Sequence, residues 1–129
     1  MKLEFLADGS DDCPLLRLYR FDAIGAMRLR EAFRCLADGS RQNVPLHEEW
    51  WIEPLENCQL DLRLGKRDLG VVQRLPMRFE CVLSRDGWLE AMEKTVPFCI
   101  RPQNEPPEIY QWLNHDGEVS LLLSPTGKW

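Results

Sequence analysis

The stretch Cys58-Gln59-Leu60-Asp61-Leu62-Arg63-Leu64 sets an apolar side chain at every second residue without a break. A pleated backbone sends alternate side chains to opposite faces, so this pattern reads as a half-buried β-strand. Cys58, Leu60, Leu62 and Leu64 face inward, and Gln59, Asp61 and Arg63 face water. Gly65-Lys66-Arg67-Asp68 has the composition of a hairpin loop and leads into Gly70-Val71-Val72-Gln73-Arg74. Beyond Pro76, the apolar residues Met77, Phe79, Cys81 and Leu83 alternate again with Arg78, Glu80 and Val82. The expectation for 58–83 is a three-stranded antiparallel meander with one apolar face, the other being wet. Asp61, Arg63, Arg78 and Glu80 lie on that wet face, where opposite charges pair across strands.

Working towards the N-terminus, 2–6 and 15–21 read as strands, the second with Leu16 and Leu18 on one face and Leu15, Tyr19 and Phe21 on the other. Between strand and meander, Asp22 has the chemistry of a helix N-cap. Gly25, Ala26, Leu29, Ala32, Phe33 and Leu36 form one apolar face at helical spacing, and Gly39 is suited to the left-handed residue past the end. The spacing predicts a helix over 23–38. Residues 44–54 hold Pro45 and Pro54 and read as an edge strand or extended loop. Towards the C-terminus, Ser84 caps a second helix over about 85–95, which turns Trp88, Leu89, Met92 and Val96 to the core and is ended by Pro97. A polar, proline-rich link at 101–107 precedes a hairpin of 109–113 with 119–123 around Asp116-Gly117.

The resulting order, β-β-α-β-β-β-β-α-β-β, is that of an α+β protein. The expected architecture is a single domain over 1–129, a mainly antiparallel sheet of about six to eight short strands with two helices packed on one face. At 129 residues the chain is long enough to bury a core without help from metal or disulfide. Its 16 Lys and Arg against 21 Asp and Glu leave a net charge of −5, which argues against nucleic acid as a partner. Glu4 and Asp8 interrupt any secretory leader at the start, and no apolar run approaches a membrane span. The five cysteines contain no CxxC pair, so the expectation is buried thiols in a reducing cytoplasm, with Cys35, Cys58 and Cys81 at apolar positions.

No phosphate-binding glycine motif, no GxSxG and no metal-ligand spacing is present, so neither a cofactor nor a metal is expected. His47-Glu48-Glu49 reads as an acidic edge, and His115-Asp116-Gly117 as turn chemistry. The unusual residue is tryptophan, five in all, with Trp50 and Trp51 adjacent. In an extended segment neighbouring side chains face opposite ways, so one indole is expected to be exposed. It sits in 46–61, a stretch with five carboxylates and no lysine or arginine. An exposed aromatic in a charged rim is how protein-binding hot spots are built. The expected function is therefore a cytoplasmic protein-interaction module, using Trp50, Trp51, Glu48, Glu49 and Glu53 against a partner protein of basic character. The rival expectation is a small enzyme or ligand-binding protein in which Arg30, Arg34 or His47 holds an anion between helix and sheet. Homodimerisation through an edge strand is a third.

Overall fold

In the computed structural model, which describes residues 1–100, 109–115 and 117–129, the chain is α+β and built from two mixed sheets and two helices. The strands are β1 (Lys2–Leu6), β2 (Leu15–Tyr19), β3 (Asn43–Pro45), β4 (Glu53–Pro54), β5 (Gln59–Leu64), β6 (Gly70–Leu75), β7 (Arg78–Leu83), β8 (Gln111–Asn114) and β9 (Ser120–Ser124). The helices are α1 (Ala23–Asp38) and α2 (Arg85–Cys99). One sheet has the order β4-β1-β2-β9-β8 and the other β3-β5-β7-β6.

Helix α1 starts and stops where its sequence says it must. The Asp22 carboxylate accepts from the Gly25 amide at 2.9 Å, and Gly39 takes φ 79°, a conformation that costs an L-residue its Cβ clearance. Its buried face is Ala26, Leu29, Ala32, Phe33, Leu36 and Ala37. Helix α2 is capped by Ser84 as expected, but it runs through Pro97 to Cys99. Its buried face is Gly87, Trp88, Ala91, Thr95 and Phe98; Leu89 is 41% exposed, and Met92 and Val96 are only half-buried. Two apolar stripes one residue apart fit this helix equally well in sequence, and packing against α1 selects the one led by Trp88. The Phe33 and Trp88 rings stack 5.3 Å apart, Phe21 meets Phe98 edge-on, and the Trp88 indole donates to the Arg63 carbonyl at 3.0 Å.

The single sheet is corrected to two mixed sheets, in which β1–β4, β2–β9 and β5–β7 are parallel pairs and β1–β2, β3–β5, β6–β7 and β8–β9 antiparallel ones. In particular, 58–83 is no simple meander. Residues 65–69 are not a hairpin loop; they step across the end of β7, where the Gly65 and Leu69 amides donate to the Leu83 and Val82 carbonyls. β6 thus lands on the far side of β7 and pairs with it antiparallel, while β5 pairs with β7 in parallel. Alternation specifies which face a residue takes, not which strand it pairs with. The expected charge pairing across this sheet is present: Arg63 and Arg74 reach Glu80, and Arg78 reaches Asp61. Asp61 itself is 8% exposed, so it lies inside the surface and not on a wet face.

An antiparallel bridge from Val71 to Val119 joins the two sheets, and Phe5 packs on Phe79 with ring centroids 4.7 Å apart. One continuous core contains Leu16, Leu18, Leu121 and Leu123 from the first sheet, Leu60, Leu62, Phe79 and Cys81 from the second, and the buried faces of both helices. The opposite face of the first sheet is not wet either. Leu15, Tyr19, Leu122 and Ser124 are buried there, beneath residues 125–129. Arg17 donates to the Gly127 carbonyl at 2.9 Å, and the Ser124 hydroxyl to that of Lys128 at 2.6 Å. Gly127, at φ 88°, lies so close that a Cβ would stand 3.1 Å from both Arg17 and Tyr19. Residues 44–54 form neither a continuous edge strand nor an extended loop, but β3, a 3-10 turn over Leu46–Glu48, and β4. The link at 101–107, and Asp116 of the last turn, lie outside the described residues.

Candidate interaction surface

The 3-10 turn that follows β3 is pinned to β5 from both sides. Leu46 is fully buried, and the His47 Nδ1 accepts the Leu60 amide at 3.1 Å. A tight turn follows, closed by the Ile52 amide on the Glu49 carbonyl at 3.0 Å, with Trp50 and Trp51 as its two central residues. The indoles therefore part company because the chain turns, not because it is pleated. Trp51 is half-buried against the core, its carbonyl accepting from the Met1 amino nitrogen at 3.1 Å. Trp50 is 78% exposed.

The charges beside Trp50 are mixed. The Arg28 guanidinium, from α1, lies 4.3 Å from the centre of the Trp50 ring, a cation–π contact. Glu49 pairs with Arg41 at 3.4 Å. Trp50, Trp51 and Glu49 line one shallow depression of about 290 Å³ together with Arg28, Glu31 and Arg41. Glu48 and Glu53 are exposed outside it, and Glu53 pairs with Lys2 at 3.4 Å. Ile24 and Met27 are exposed on the same stretch of α1 as Arg28.

The three residues of the rival anion pocket are not brought together. Arg34 is held by two carboxylates of its own helix, Glu31 and Asp38. The hydrogen bond to Arg34 keeps the Glu31 carboxyl below its ordinary value; Ser40, and then Arg34, do the same for Asp38. His47 is occupied by the backbone of β5. Arg30 lines a different depression, beside Val96, Cys99 and Ile100 at the end of α2.

All five cysteines are free thiols. Burial pushes the Cys58 and Cys81 thiols up to about 12, away from the thiolate that a nucleophile needs; Cys35 is only half-buried, at the edge of the α1 face. Among the described residues no three His, Cys, Asp or Glu side chains cluster as metal ligands would, and no helix is long and apolar enough to cross a membrane.

A second aromatic group escaped the sequence reading. Tyr110, Trp112 and Trp129 line one open depression with Asp11 and Asp12. The i, i+2 spacing of Tyr110 and Trp112 was a readable sign that they share a face; nothing local connects them to Trp129 or to residues 11 and 12. Comparison with known protein families, with curated proteins and with solved structures found no match.

Proposed function

We propose that the chain is a non-catalytic protein-interaction module that docks a partner protein on the surface around Trp50. The observation that carries this reading is the exposure of that indole, a large apolar side chain carried on a tight turn and in cation–π contact with Arg28. A rigid aromatic loses little conformational freedom when a partner covers it, which is why such residues dominate binding energy. Ile24 and Met27 are exposed on the same helix as Arg28, and Glu48 and Glu53 are exposed outside the depression. The partner this arrangement fits offers an apolar side chain to the indole and basic groups to Glu48 and Glu53.

Replacing Trp50 by Ser removes the proposed anchor without opening the core, because the side chain is mostly in water. Immobilised parent and Trp50→Ser chains are exposed to the same native lysate, and recovered proteins are quantified. The expected result is a partner whose recovery falls by about tenfold or more in the variant and by a smaller factor in Glu48→Ala/Glu53→Ala. Equal recovery of every protein by parent and Trp50→Ser overturns the reading.

A further inference from the structure

We propose that the depression between β8, residues 10–12 and the chain's last residues is a binding site for a methylated ammonium cation. It shares no lining residue with the Trp50 surface, and it rests on different observations. Its volume is about 680 Å³, and the described residues around it include Tyr110, Trp112, Trp129, Asp11, Asp12 and Lys128.

The rings are set as walls. Tyr110 and Trp112 stand 6.4 Å apart, centre to centre, at an interplanar angle of 82°, so they form a corner. Trp112 is steadied by His115, whose ring centre is 4.4 Å away. Trp129 makes the third wall: its indole N–H donates to the Asp12 carboxylate at 3.0 Å, which ties the ring to the acidic rim. These are large apolar groups left open to solvent, Tyr110 at 43% and Trp129 at 37%.

The electrostatics select the ligand. Aromatic faces are negative, and Asp11 and Asp12 form no ion pair among the described residues, so the rim carries two carboxylates against the one charge of Lys128. The fold already sets one cation beside the Trp129 wall, on Tyr19, which lies outside the depression. The Arg17 guanidinium lies 3.9 Å from the Tyr19 centroid and 6.0 Å from that of Trp129. Its charge is answered by Glu4 at 2.7 Å and so does not oppose a second cation. An anion is repelled here, and a neutral apolar guest gains nothing from the carboxylates. A lysine ammonium or a metal ion holds its water more firmly, so exchanging it for π faces costs more. A methylated ammonium keeps its full charge while holding water weakly, and that is the cation an aromatic corner favours. Two sources share this chemistry: a free quaternary amine, and a trimethylated lysine side chain in a peptide.

The test titrates the full chain with tetramethylammonium, choline and a short trimethyl-lysine peptide at constant ionic strength. It follows indole fluorescence and the indole N–H resonances of Trp112 and Trp129. Saturable binding in the millimolar range is expected, weakened by about fivefold or more in each of Tyr110→Leu, Trp129→Leu and Asp12→Asn. Circular dichroism confirms that each variant is folded, and the three variants perturb different walls, so loss of one to misfolding leaves two. Tighter binding of choline identifies a free amine as the ligand, and tighter binding of the peptide a modified side chain. The proposal is overturned if no titration saturates, if the neutral carbon isostere of choline binds as well as choline, or if the folded variants bind like the parent.

Discussion

Cys58 and Cys81 lie wholly inside the core, and their thiols make stability depend on alkaline pH with a definite sign. Burial raises both to about 12, with Glu4 adding to the first and Asp68 to the second. In the unfolded chain each ionises near its ordinary value of 9.0. Below that value both states are protonated and the contribution is complete. Between about pH 9 and 12 only the unfolded chain releases the protons, so stability falls by about 1.4 kcal/mol per pH unit for each thiol. Denaturant midpoints are expected to drop across this window, and to drop less steeply in Cys58→Ala/Cys81→Ala; parallel curves for parent and variant would show that the thiols contribute nothing. Trp50 and Trp51 belong to the same scale. Their adjacency made one exposed indole legible in the sequence, but the reason is a turn closed by Glu49 and Ile52, which the residues alone do not announce.

At the scale of the element, α2 continues through a residue that ought to stop it. Pro97 has no N–H to give the Glu93 carbonyl, yet the Ile100 amide still reaches the Val96 carbonyl at 3.2 Å. What holds the last turn is tertiary: Phe98 is buried against Phe21, while inside the helix the buried Thr95 hydroxyl donates to the Ala91 carbonyl at 2.7 Å. Pro97 itself is exposed. Pro97→Ala is therefore expected to raise stability by about 1 kcal/mol, read as a higher thermal midpoint. A lower midpoint would mean that the proline's restriction of the unfolded chain outweighs the missing hydrogen bond. The strands β5, β6 and β7 make the complementary point. Their alternation gave their existence and their inward faces, but a five-residue step over the end of β7 produces a parallel pair where adjacency implied a hairpin.

Across the whole molecule, the two sheets are held together chiefly by side chains. Phe79, fully buried on β7, packs on Phe5 of β1, while among the described residues the Val71–Val119 bridge is an isolated backbone pairing. Phe79→Ala is expected to cost about 3–5 kcal/mol, and because one core spans both sheets, near- and far-ultraviolet circular dichroism should lose signal in a single transition. Separate transitions by the two probes would show that unfolding is not all-or-none. The Tyr110–Trp112–Trp129 corner exists only at this scale, since it needs β8 beside β9, and residues 125–129 laid back over β2.

Local periodicity and capping chemistry determined α1 from Asp22 to Gly39, the start of α2 and the inward faces of the strands. These depend on neighbours a few residues away, so a short window of sequence contains all the physics involved. Strand partners, the division into two sheets, the choice between two apolar stripes on α2, and the meeting of Asp12 with Trp129 were decided by tertiary structure. Each is a competition among distant segments for the same buried surface, and no local pattern records which of them wins.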